Sequence, residues 1–178
     1  MKQLDTNRLV LRPVTPDDAE YMLSYLSKPE VVVYMGLEPF TSLDDALEEI
    51  AWYDSILEEG TGLRFGITIR GEDVVIGSCG LLNRSEKHHR AEIGFELSPD
   101  YWGKGIAGEA LEAVVAYGFH ELRLMRIEAL VEPENHASMQ LLERHGFLQE
   151  GLLRSYEFTR GKFDDLYMYS RLNDRKGR

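Results

Sequence analysis

This chain predicts a mixed α/β fold, on three observations. Residues 91–122 read as a strand, a glycine loop and a long amphipathic helix in direct succession. A hairpin pattern precedes that stretch, over residues 63–83. More strand patterns follow it, over residues 126–172. Strands on both sides of a central helix, with one tight hairpin turn among them, exclude all-helical and all-β architectures and leave a sheet covered by helices.

Taken in order, residues 8–14 form a short strand with Leu9 and Leu11 on one face. Thr15 reads as an N-cap, with Pro16 at the first helical position and Asp18 three residues after the cap, so a helix runs to about Ser27. Lys28-Pro29-Glu30 opens a short segment, VVVYMG, that suits helix or extended chain. Ser42 with Asp45 is a second capping pair and starts a helix through Glu59, which Gly60 and Gly62 stop. Residues 63–70 and 74–83 are strands around the turn Gly71-Glu72-Asp73. Residues 85–89 are a polar loop.

In the central strand Ile93, Phe95 and Leu97 alternate with Glu92, Gly94 and Glu96, the period of a half-buried strand. Ser98-Pro99-Asp100 ends it. Beyond the glycines, Ala107, Leu111, Val115, Phe119 and Leu122 line one helix face. Residues 126–132 form a strand closed by Pro133, and residues 135–145 a short helix ended by Gly146. Residues 147–150, 153–159 and 165–172 supply the last strands, and the tail NDRKGR, residues 173–178, is expected to fray. No repeat or linker interrupts the chain, so residues 1–178 are expected to form one domain.

Composition narrows the function. Hydrophobic residues make up 43% and charged residues 29%, ordinary for a globular protein. No apolar run approaches the ~20 residues of a membrane span, and the first residues carry no signal-peptide core. A cytoplasmic protein without membrane partners is expected. A net charge of −11 opposes a phosphate backbone, so nucleic acid is not an expected partner. The same charge suits a cationic partner such as an amine, or serves solubility alone. Cys79 is the only cysteine, which rules out an intrachain disulfide and reads as a small core residue. His88-His89 are adjacent, and His120-Glu121 lacks a second histidine at metal-binding spacing, so no metal site is expected.

The chemistry lies in Trp102-Gly103-Lys104-Gly105-Ile106-Ala107-Gly108. Glycines at a helix mouth let backbone N–H groups approach an anion, and the first N–H groups of a helix carry partial positive charge. Gly103, Gly105 and Gly108 spell G-x-G-x-x-G, the dinucleotide fingerprint, with an acid, Glu128, about twenty residues on. Three features count against that reading. The strand carries Glu92 and Glu96 where a buried parallel strand is apolar, residues 98–102 lengthen a turn that should be tight, and no βαβ series follows.

The stretch resembles motif A of the GNAT superfamily, the GCN5-related N-acetyltransferases, with its Q/R-x-x-G-x-G/A loop. Trp102, Gly103, Lys104, Gly105, Ile106 and Ala107 occupy that loop, with Trp in place of Gln or Arg. The Y-W-G-K-G-x-A form is similar to the RimJ/RimL-like branch, which acetylates N-termini of ribosomal proteins. Residues 135–147, NHASMQLLERHGF, resemble motif B, N-x-x-A/S-x-x-L-x-x-x-x-G-F. The resemblance implies one mixed, mostly antiparallel sheet of six or seven strands with about four helices. It implies acetyl-CoA as co-substrate, its pyrophosphate on the glycine loop. Its pantetheine would pair with backbone near Leu97 and Ser98, where the central strand splays from the next.

An amine would attack the thioester directly, with no enzyme nucleophile. Glu92 and Glu96 share a strand face and are the candidate bases; the AEI around Glu92 is similar to the base of the histone-acetylating branch. Two solvent-facing acids, with deprotonation through water, is the plainer alternative. Many family members place a tyrosine acid seven residues after the motif-B asparagine, where this chain has Leu142. Ser138 is the candidate substitute, or else a hydroxyl bonded to its own helix. Asn135 would contact the cofactor, cap its helix, or both. Tyr156, Phe158, Tyr167 and Tyr169 line an acceptor groove or belong to the core.

The expected reaction is acetyl transfer to a primary amine, an N-terminal α-amine first, as on a ribosomal protein. Small amines such as polyamines, aminoglycosides or amino acids are the alternative. Outside this class stand a nucleotide-binding module and a silent acyl-CoA sensor. Oligomeric state, a homodimer included, is left open.

Overall fold

The computed structural model of the chain describes residues 1–174. Its elements are β1 (Leu4–Asp5), β2 (Leu9–Arg12), α1 (Ala19–Leu26), α2 (Pro29–Val32), α3 (Leu43–Glu58), β3 (Leu63–Ile69), β4 (Gly77–Ser85), β5 (Arg90–Leu97), α4 (Ile106–His120), β6 (Arg126–Val131), α5 (His136–Arg144), β7 (Leu148–Thr159) and β8 (Lys162–Leu172). The strands make one open sheet in the order β1-β2-β3-β4-β5-β6-β8-β7. Every neighbouring pair is antiparallel except β5 and β6.

Local chemistry sets the helix starts. The Asp18 carboxylate accepts the Thr15 N–H at 2.8 Å and a two-pronged ion pair from Arg12. Ser42 and Asp45 cap α3 reciprocally. The ambiguous segment after Lys28 resolves into the single turn α2, with Pro29 at its start.

The described residues hold eight strands and five helices, one of each beyond the number expected. β1 is two residues long, too short to leave a period in sequence. Residues 147–150 and 153–159, read as two strands, are one strand, β7, with irregular register at two points. β4 begins at Gly77, three residues later than the hairpin pattern suggested, although Ile76 still donates to Ile67 at 2.9 Å. At the tail, Asn173 is not frayed: its amide donates to the Phe119 and Leu124 carbonyls. Residues 175–178 lie outside the described residues.

The sheet separates two cores. On one face Leu63, Phe65, Leu81, Ile93 and Leu97 pack with Leu111, Val115 and Phe119 of α4 and Leu142 of α5. On the other, Met22, Tyr25 and Leu26 of α1 pack with Ile50 and Tyr53 of α3. Burying each such side chain contributes roughly 1.5–3 kcal/mol. Alternation along β5 therefore sends Ala91, Ile93 and Leu97 toward α4, and sends Glu92 and Glu96 toward the α1/α3 side.

What positions the site is the junction of β5 and β6. They pair only at Arg90–Arg126, Ala91–Ile127 and Glu92–Glu128. Beyond that rung β5 runs on to Leu97 and β6 to Val131 with no further pairing between them. The two parallel strands thus diverge toward their C-terminal ends, where the glycine loop begins.

Candidate active site

The glycine loop leaves β5 through a single 3₁₀ turn, Pro99–Tyr101. Gly103 and Gly105 both sit in the left-handed region, at φ 71° and 74°, a conformation that costs glycine nothing and a side chain about 1–2 kcal/mol. The first backbone hydrogen bond of α4 runs from Glu109 N–H to the Gly105 carbonyl at 3.1 Å. The N–H groups of Ile106, Ala107 and Gly108 precede it and have no acceptor within the helix. The loop and the first turn are therefore a fit receptacle for a diphosphate. Gly108 does other work. A Cβ there would lie 2.4 Å from His145 Nε2, so it admits the C-terminal end of α5 against α4.

Trp102 shows why this loop tolerates its departure from Gln or Arg. The indole N–H donates to the Leu97 carbonyl at 2.8 Å and pins the loop to the strand end, while 48% of the residue stays exposed. The Leu97 carbonyl is thus engaged from within the chain. Ser98 donates its N–H to Ile76 at 2.7 Å. Lys104 turns its ammonium back onto the Asp100 carbonyl at 2.8 Å and over the Tyr101 ring.

Glu92 and Glu96 meet different surroundings on their shared face. Glu96 is buried: Arg64 bonds one carboxylate oxygen and the Ser78 hydroxyl the other. Arg64 Nε also donates to Ser78 at 2.6 Å, and the Tyr53 hydroxyl lies 3.2 Å from it. Both oxygens of that carboxylate are thus committed to partners inside the core and none is left to meet an incoming amine. Glu92 is half-buried and sits on the last paired rung of β5 and β6. Among the described residues its one side-chain hydrogen-bond partner is Asn83, whose amide donates at 3.0 Å. A register shift in β4 and a positive φ at Asn83 aim that amide. Burial raises the Glu92 pKa, the Asn83 bond opposes it, and the neighbouring Glu157 and Glu128 carboxylates add to the rise. Asn83 and Glu157 carried no signal in sequence, since a bulge and a cross-sheet neighbour leave no local pattern.

Glu128, the acid a dinucleotide site would require, is committed elsewhere: Arg126 donates to it at 2.7 Å and Arg90 at 3.2 Å. Asn135 is the N-cap of α5, its oxygen accepting the Ser138 N–H at 3.2 Å. Ser138 is half-buried in the first turn, and among the described residues its hydroxyl has no hydrogen-bond partner. No hydrogen bond links it to Glu92. Leu142, at the position of the absent tyrosine, is fully buried. Tyr169 is a core residue whose hydroxyl bonds Gln149 and Glu143, whereas Tyr156 and Phe158 are exposed. Burial pushes the Cys79 thiol up to about 12, which removes it as a nucleophile.

Residues 8–148 match the family described as "Acetyltransferase (GNAT) domain". Over 172 residues the chain is 44% identical to the Bacillus licheniformis protein named uncharacterized N-acetyltransferase p20, covering 97% of each. It is 30% identical over 154 residues to the spermidine N(1)-acetyltransferase of Escherichia coli strain K12, covering 86% of this chain and 80% of that one. The solved spermidine N-acetyltransferase of Vibrio cholerae, in complex with CoA and spermine, matches with a TM-score of 0.79 at 27% identity, over 94% of this chain and 96% of that one. The solved RimL, a ribosomal L7/L12 α-N-protein acetyltransferase in complex with CoA, matches with a TM-score of 0.85 at 20% identity, over 97% and 99% of the chains, a likeness of fold. Family match, relatives and shared architecture agree: this chain belongs to the GNAT family and is an acetyltransferase.

Proposed function

We propose that the chain acetylates a primary amine at the expense of acetyl-CoA, with the amine approaching from the α1/α3 side of the sheet. The observation that carries this reading is the divergence of β5 and β6, with Glu92 at its apex and the glycine loop at its open end. Acetyl-CoA supplies an activated thioester. Loop residues Trp102, Gly103, Lys104, Gly105, Ile106 and Ala107 hold the diphosphate through backbone N–H groups. The strand end at Leu97 and Ser98 and the Asn135 cap flank the path between the strands. Glu92 takes a proton from the bound ammonium, and the neutral amine that results attacks the thioester; the raised pKa brings Glu92 closer to the amine it must deprotonate. Ser138, half-buried and within reach of solvent, passes a water proton to the departing sulfur as the C–S bond breaks, and so keeps its own hydroxyl.

An α-amine titrates near 8 and a lysine-like amine near 10.4, so the α-amine of a protein N-terminus asks less of Glu92. Exposed Tyr156, Phe158 and Phe163 on the β7–β8 hairpin suit a peptide. The second reading is a polyamine, favoured by the 30% identity to a spermidine acetyltransferase and by the net charge of −11. Turnover measured against N-terminal peptides, including ribosomal-protein sequences, and against spermidine, aminoglycosides and amino acids separates them. Peptide turnover is expected to exceed that of every small amine. Faster spermidine turnover selects the second reading. Acetyl-CoA binding without turnover of any amine returns the chain to a sensor, and NADH binding in place of acetyl-CoA to a nucleotide module.

A further inference from the structure

The N-terminal arm is fastened to the first turn of α4 at a single carboxylate. Glu109 accepts the Thr6 hydroxyl at 2.6 Å, the Arg8 backbone N–H at 2.8 Å and Arg8 Nε at 2.6 Å. Arg8 Nη1 then donates to the Lys104 carbonyl at 2.8 Å. A Cβ added at Gly105 would lie 3.3 Å from Arg8 Nη2. One guanidinium thus spans from the helix to the loop, with its third nitrogen beside the left-handed glycine.

The placement runs against helix electrostatics. The N-terminal end of a helix carries partial positive charge, so a cation there is unfavourable and a carboxylate favourable. Glu109 alone would serve the helix, and Thr6 and the Arg8 backbone already satisfy its Oε1. The guanidinium adds nothing the helix needs. What it does add is local to the loop. It occupies the Lys104 carbonyl, whose negative end would repel an anion, and it holds the Lys104–Gly105 peptide in one orientation. With 45% of its side chain exposed, it leaves a positive charge facing solvent there.

We propose that Arg8, held in place by Glu109, is a positioning residue for the donor's diphosphate. This rests on the reading that the glycine loop holds that group. The fork is essential: a lysine keeps the charge but cannot reach the carboxylate and the carbonyl together.

The test is an NMR titration of the full chain with acetyl-CoA and with S-acetylpantetheine, which has the thioester arm but no diphosphate. Arg8→Ala and Arg8→Lys should each raise the acetyl-CoA Kd about 10- to 100-fold, the range of a lost charge-assisted contact. Glu109→Gln should raise it less, because the guanidinium keeps the Lys104 carbonyl. The S-acetylpantetheine Kd should stay within about twofold in all three, which a loosened or partly unfolded protein would not manage. Wild-type affinity for acetyl-CoA in Arg8→Lys would overturn the positioning role and leave charge alone. Equal losses with both donors would overturn it in favour of a general structural role. A wild-type chain that fails to bind acetyl-CoA would remove the loop assignment itself, and this inference with it.

Discussion

Glu92 and Glu96 are the same side chain on the same strand face, and their neighbours give them different chemistry. Glu92 is half-buried, and that burial raises its pKa; the Asn83 bond opposes the rise and two nearby carboxylates add to it. Its proposed task requires the ionised form, so activity should fall as pH drops through that raised pKa. Glu92→Gln keeps size and the Asn83 contact but loses basicity. The expected outcome is a kcat loss of about 10²–10⁴, in line with general-base removal, with the acetyl-CoA Kd nearly unchanged. Rate measurements from pH 7 to 9.5 should show the defect shrinking, because more amine arrives neutral. Full rate across that range would mean deprotonation through water.

At the scale of elements, two junctions carry the site. The first spans β3, β4 and β5, where Arg64, Ser78 and Glu96 are tied together under α3. Glu96→Gln leaves a buried guanidinium without its counter-charge, and urea unfolding should show a loss of about 3–5 kcal/mol. Glu92→Gln should unfold close to wild type, so the two variants separate fold from catalysis. The second junction is the loop into α4. Gly105→Val places a β-branched residue at φ 74° and pushes on Arg8 Nη2. Acetyl-CoA affinity should drop at least about tenfold while the far-UV spectrum is retained, since the strain stays in one peptide. Unchanged affinity would remove the diphosphate from this loop.

For the molecule as a whole, acidity couples stability to pH in an unusual direction. Glu49 on α3 lines a depression of about 430 Å³ with Glu38, Phe40, Asp45 and Glu48. Burial and the Glu96 carboxylate push its pKa from 4.5 up to about 7. The folded state therefore holds this proton more tightly than the unfolded chain does. Its contribution favours folding below about 4.5 and is lost as pH rises through 7. Glu49→Gln mimics the protonated form. At pH 8 it should unfold with about 1–3 kcal/mol more stability than wild type, and the gap should narrow at pH 5.5. A constant gap at both values would show that Glu49 does not titrate in this window. No helix among the described residues is long and apolar enough to cross a membrane.

Much of this molecule was legible before any coordinates. Capping pairs at Thr15–Asp18 and Ser42–Asp45, the stripe of α4 and the alternation of β5 are local patterns, set by neighbours within a few residues. The glycine loop was legible for the same reason, because φ above zero is demanded by the chain's own turn. The sequence alone also placed Glu92 and Glu96 on one face, but could not tell them apart. That distinction came from Arg64, Ser78 and Asn83, residues on other strands whose proximity only pairing creates. The two-residue β1 escaped detection because a period needs length, and β7 was read as two strands because its register is irregular at two points. Arg8 was read only as the start of a strand. Its contact with Glu109 spans 101 positions, and sequence carries no record of which distant charges a folded sheet brings within 3 Å of each other.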